Sequence, residues 1–142
     1  MSETSPGRPL LIEVPAGELI DKITILEIKS ERITDAAKLH HVRAELAALT
    51  AVRDGALPAS PELAALAARL KAVNEALWQI EDEVRACERR QDFGPRFVEL
   101  ARSVYQHNDR RAALKRAVNE LLGSRLVEEK SYAPYGAELR SS

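Results

Sequence analysis

Leu63, Leu66, Leu70, Val73, Leu77, Ile80, Val84 and Cys87 follow one another at alternating spacings of three and four residues, without an error. A strand repeats its apolar side chains every two residues, so this run admits only an amphipathic helix, and its period is that of a coiled-coil seam. Ser60 followed by Pro61 supplies the entry: a capping hydroxyl, then a ring at the first helical position, where the missing N–H costs nothing. The spacing predicts a helix from Pro61 to about Gln91. Leu39, Val42, Leu46, Leu49 and Val52 carry the same pattern, on a helix that Thr34 is placed to cap and that reaches about Arg53. The connection Asp54 to Ser60 is short enough for an antiparallel hairpin, so these two helices are expected to zip together.

Glycine and proline fall almost entirely between four uninterrupted segments. A first helix is expected from about Gly17 to Ile33. Leu19, Ile23, Leu26 and Ile33 form one stripe on it while Ile25 and Ile28 lie off that stripe, which is the pattern of a helix sandwiched between neighbours. A fourth follows the Asp92-Phe-Gly-Pro95 break and stops near Gly123, a natural C-terminal residue. The resulting expectation is an all-α, elongated four-helix bundle built around an antiparallel coiled-coil hairpin. Residues 1–14 form a flexible arm, with Leu10 to Val14 as a short extended stretch; 15–123 form the bundle, and 124–142 a polar tail.

Charge excludes some functions. With 21 Lys+Arg against 22 Asp+Glu the net charge is -1, so nothing draws the whole chain toward nucleic acid or an anionic membrane. No apolar stretch approaches the ~20 residues needed to span a bilayer, and Met1 to Leu11 has neither a basic region nor a long apolar one. The single Cys87 forms no internal disulfide and agrees with a reducing compartment, so a cytoplasmic protein is expected. No Gly-rich phosphate loop, Ser-His-Asp order or CxxC occurs, and nucleophilic catalysis has no support.

Polar residues that interrupt apolar faces are the informative feature. At about 100° per residue, Glu27 projects between Ile20 and Ile23, and Asn74 and Glu81 lie within the arc of Leu70, Leu77 and Trp78. On the fourth helix the stripe Phe97, Leu100, Ala101, Val104 continues through Asn108, Arg111, Lys115 and Asn119 before Leu122. A buried charge costs several kcal/mol unless paired, so these groups must satisfy one another or hold something. Glu27 and Glu81 balance Arg111 and Lys115, and the asparagines complete the network. Such a cluster is either a polar layer that sets helix register, or a site where Arg111 and Lys115 face an anionic or sugar-like ligand. Glu27, Glu31 and Asp109 supply a weaker alternative, a magnesium site. It departs from the paired i, i+3 carboxylates of all-α nucleotide pyrophosphohydrolases, because Glu27 and Glu31 lie at i, i+4 on one helix. Arg110 and Arg116 read as a solvated face, and His40, His41 and His107 lack metal-ligand spacing.

The stretches Ile20 to Ile33, Leu77 to Asp82, Phe97 to Tyr105, Asn108 to Ala112 and Glu128 to Tyr132 resemble a bacterial domain-of-unknown-function family of short helical proteins. The resemblance extends from Val14 to Tyr135 and implies no reaction. It implies a setting, that of accessory proteins encoded near surface-polysaccharide genes, beside tetratricopeptide-repeat proteins or glycosyltransferases. The leading expectation is a non-catalytic cytoplasmic binding or scaffold protein that needs no cofactor. It is expected to have a protein partner or to self-associate as a homodimer: the long seam outruns the second helix and leaves Val84 and Cys87 to be covered by helix one, helix four or a second subunit. The rival is a small-molecule receptor, or a metal-dependent enzyme, at the polar cluster.

Overall fold

The structure, a computed structural model, describes residues 7–135, and among these it contains four helices and no strand. They are α1 (Ala16–Arg32), α2 (Ala36–Ala56), α3 (Pro61–Arg89) and α4 (Pro95–Leu122). No helix of the described residues is long and apolar enough to cross a membrane. Ser60 caps α3 as expected, accepting from the Leu63 N–H at 3.0 Å, with Pro61 in the first turn. The cap of α2 is Asp35 rather than Thr34: its carboxylate accepts from Lys38 N–H at 2.9 Å, one residue later than expected. Gly123 ends α4 with φ 62°, the left-handed region that an L side chain enters only at a cost.

The pairing of helices differs from the expected hairpin. α3 packs most extensively on α4 and also on α1, whereas α2 packs on α1 and makes no helix–helix packing with α3. The unit is therefore an antiparallel α3–α4 hairpin with α1 laid against it and α2 outside α1. Spacing shows that a face is apolar; it does not say which neighbour covers it. The α3 seam has more to bury than α2 offers, and α4 supplies it. Ile80, Cys87 and Leu100 form one buried cluster with Val84, Phe97 and Val104 packed around it. Of the covers open to the surface near Val84 and Cys87, helix one, helix four or a second subunit, α4 provides it within the chain.

A second cluster, Ala16, Ile20, Leu63, Leu70, Leu114 and Val118, joins α1 to the other end of the hairpin. Between the two clusters lies a layer of polar residues. α1 is buried on two sides, as its apolar pattern required, but α2 buries only Val42. The described residues after α4, up to Tyr135, do not leave the bundle: Glu128 reaches Lys115, Glu129 reaches Arg116, and the Tyr135 ring lies 5.1 Å from that of Tyr105. The segment thus runs back along α4.

Candidate functional site

The polar layer is organised by a residue that the sequence reading passed over. Asp21 is 1% exposed and accepts from Arg111 Nε at 2.8 Å, from Arg111 Nη2 at 2.6 Å and from Asn74 Nδ2 at 2.9 Å. Asn74 Nδ2 also lies 2.9 Å from Thr24 Oγ1, whose hydroxyl donates to the Asp21 carbonyl at 2.7 Å. The bidentate geometry uses two of the three guanidinium nitrogens and leaves Nη1 out of the pair. The signal was present in Gly17, Asp21, Thr24 and Ile28, spaced four, three and four, a second buried face of α1 turned toward α3 and α4.

One turn further along α4, Lys115 Nζ sits 2.7 Å from both Glu18 and Glu128. Burial lowers the proton affinity of this amine, but the Glu128 and Glu18 carboxylates outweigh burial and hold its pKa above 10.5. Asn119 serves the backbone: its Oδ1 accepts from the Gly17 N–H at 2.7 Å, and Ser124 Oγ accepts from the Ala16 N–H at 2.9 Å. α1 has no capping side chain of its own, and the end of α4 provides the cap. Gly17 permits the approach. A Cβ there would overlap the Lys115 carbonyl oxygen and stand 2.9 Å from Asn119 Oδ1.

The structure therefore brings together only part of the expected cluster. Asn74, Arg111, Lys115 and Asn119 are engaged as polar intruders on the bundle interior, but their charges are balanced by Asp21, Glu18 and Glu128. Glu27 and Glu81 are not the partners. Glu27 lines a separate groove with Ile20, Ile23, Arg53 and Leu57, on the side of α1 away from Arg111. Glu81 is exposed and paired with Arg85 one turn on. A helical wheel gives a direction around one axis; it cannot say which helix lies in that direction, and α1 has neighbours on both sides. Glu31 pairs with Lys71, and Asp109 lies beside Tyr135, so the alternative metal ligands Glu27, Glu31 and Asp109 do not converge. Among the described residues no group of three His, Cys, Asp or Glu is placed to hold a metal ion.

One groove adjoins the polar layer. It has a volume of about 490 Å³, with Ile25, Ile28, Leu77, Trp78 and Val104 as its apolar lining. Its polar lining is Lys29, Asn74, Glu81, Asp82, Arg85, Asn108 and Arg111, and Asn74, Glu81, Asn108 and Arg111 are four of the seven expected site residues. The Asn108 side chain makes no hydrogen bond among the described residues, so its amide is available to an occupant. The groove exists because α1, 17 residues long, ends well before α3, which has 29, and leaves the hairpin face open beside its last turns. The volume falls within the roughly 300–1,000 Å³ of ligand sites generally, with an apolar floor and a rim that is mostly polar and charged.

Comparison with known proteins gives one match. A family model described as Family of unknown function (DUF6165) matches residues 10–138. No curated protein and no solved structure matches the chain.

Proposed function

The chain belongs to this family of unknown function, which brings no reaction with it, and from the residues themselves we propose a non-catalytic helical binding protein whose binding face is the groove between α1, α3 and α4. One contrast carries the reading. The two buried charges are spent on partly exposed partners, Asp21 on Arg111 and Lys115 on Glu18 and Glu128, whereas the groove keeps an open apolar floor and unspent polar groups at Asn108 and Arg111 Nη1. The first arrangement is what a register-setting layer needs; the second is what an occupant needs. The compartment we assign is the cytoplasm, with which the buried free thiol of Cys87 agrees. A role accessory to bacterial surface-polysaccharide synthesis is part of the same proposal and rests on the family resemblance alone.

A small anionic molecule is the second reading of the groove, favoured by Lys29, Arg85 and the free edge of Arg111, three cations in the lining against the carboxylates of Glu81 and Asp82. Both readings meet one experiment. Trp78 is the chain's single tryptophan and lines the groove, so its emission reports occupancy. Nucleotides, nucleotide sugars and sugar phosphates are added to the native protein and to Val104→Arg, following Trp78 emission and thermal stability. A sugar nucleotide or phosphate that moves both signals in the native protein only establishes the groove and the second reading. A response that survives in Val104→Arg places binding elsewhere and overturns the groove, and turnover of any compound overturns the non-catalytic reading.

A further inference from the structure

Of the two glutamates that interrupt interior faces, Glu81 is paired with Arg85, but Glu27 has no partner. It is half-buried on α1, and its side chain makes no hydrogen bond or ion pair among the described residues. The charges around it are already spent. Lys71 binds Glu31 at 2.5 Å, Arg32 lies 3.9 Å from Glu75, and Arg53 binds Asp54 at 2.9 Å. The Lys71 amine is held above its ordinary 10.5 chiefly by its bond to Glu31, with burial opposing and the Glu27 charge adding at a distance. One carboxylate is left over on this side of α1.

Glu27 borders a slot of about 260 Å³ between α1, α3 and the α2–α3 connection, with Ile20, Ile23, Leu57 and Leu63 as its aliphatic walls. The space has a cause in the packing. α2 packs on α1 and not on α3, so the connection bridges a gap, and α3 contributes Ala64 and Ala67 there, side chains too short to fill it. The hydroxyls of the slot are occupied: Thr24 donates to the Asp21 carbonyl, and Ser60 accepts from the Leu63 N–H. Arg53, the cation of the lining, is committed to Asp54.

We infer that this slot is a second binding site, independent of the α1/α3/α4 groove, for a small aliphatic molecule that carries a protonated primary amine. The alkyl chain lies against Ile20, Ile23 and Leu63, and the ammonium donates to Glu27, giving that carboxylate the partner the fold withholds. Charge selects the head group. An anion would meet the Glu27 and Asp54 carboxylates, and a neutral alcohol would leave the Glu27 charge without its counter-ion. The volume falls below the roughly 300–1,000 Å³ of drug-sized sites, which restricts the occupant to a short chain.

The test is a titration of the full chain, followed by amide proton–nitrogen NMR spectra, with hexylammonium, hexanol and hexanoate, which share one alkyl length and differ in the head group. Hexylammonium should move the signals of Ile23, Glu27, Leu57 and Ala64 saturably, hexanol should bind about tenfold or more weakly, and hexanoate should not bind. Glu27→Gln breaks no contact of the fold and should reduce hexylammonium to the affinity of hexanol. Ala64→Leu, at an exposed position, should fill the slot and abolish binding. Added salt should narrow the preference for the ammonium. Equal affinity for the three probes, no saturable shift, or hexylammonium binding unchanged in Glu27→Gln overturns the inference. Shifts confined to Lys29, Trp78 and Asn108 would place the amine in the other groove, which overturns the slot and leaves the reading of that groove standing.

Discussion

Asp21 and Arg111, 90 residues apart in sequence, form a two-point hydrogen-bonded ion pair that ties the first third of α1 to the middle of α4. Both Asp21 oxygens are used, and Asn74 of α3 donates to one of them, so three helices meet at one carboxylate. The pair lies between the two apolar clusters of the core. Sliding α1 by one turn along the hairpin would strand the carboxylate among aliphatic side chains, which makes the pair a device for register more than for net stability.

Removing one partner is therefore expected to cost more than removing both. Arg111→Met leaves Asp21 buried without its cation and should destabilise the fold by about 3–5 kcal/mol. Asp21→Leu/Arg111→Met should recover much of that loss, because no uncompensated charge remains. Urea denaturation of the two single variants and the double variant gives the coupling directly, and strictly additive losses would contradict it.

Gly17→Ala sets two effects against each other. Alanine favours the helix by about 1 kcal/mol, but its Cβ would overlap the Lys115 backbone and force α1 away from α4. Backbone cannot swing aside as a side chain tip can, so the clash wins and a net loss of about 1–3 kcal/mol is expected. Asn119→Ala, which strips the acceptor from the Gly17 N–H, should cost about 0.5–2 kcal/mol, in the range of a lost helix cap. Thermal unfolding of both variants checks the order.

The Lys115 pairs make an alkaline prediction. Its pKa is raised in the folded protein above the ordinary 10.5, because Glu128 and Glu18 outweigh burial. The folded state holds the proton more tightly than the unfolded chain does. This contribution is complete below pH 10.5 and declines as the pH rises through the higher folded-state value. Denaturation midpoints of the native chain should fall across that window. Lys115→Met should show a lower stability at neutral pH and a shallower alkaline decline, and an equal decline in both would refute the assignment.

α2 should open before the rest. It buries one residue, Val42, and packs only on α1 among the helices, joined there by the exposed Lys22–Glu45 pair. Amide exchange read by mass spectrometry should show α2 exchanging well ahead of α3 and α4, and Val42→Ala should widen the gap. Protection of α2 equal to that of α3 would show that it shares the global unfolding unit.

The sequence by itself determined the helices and their punctuation. The three-and-four spacing from Leu63 to Cys87, Ser60 with Pro61 and the glycine at 123 act within a few residues of backbone, so their effects are read locally. It also marked Asn74, Arg111, Lys115 and Asn119 as polar residues on interior faces, since periodicity reports such breaks. Only the tertiary structure decided what those residues meet. Asp21 rather than Glu27 holds Arg111, Glu18 and Glu128 rather than Glu81 hold Lys115, and α4 rather than α2 covers the long seam. An apolar stripe is satisfied by any complementary stripe, and a cation by any carboxylate within reach. The choice among partners is made by the whole packing, through the helix lengths, the close approach at Gly17 and the two-sided burial of α1.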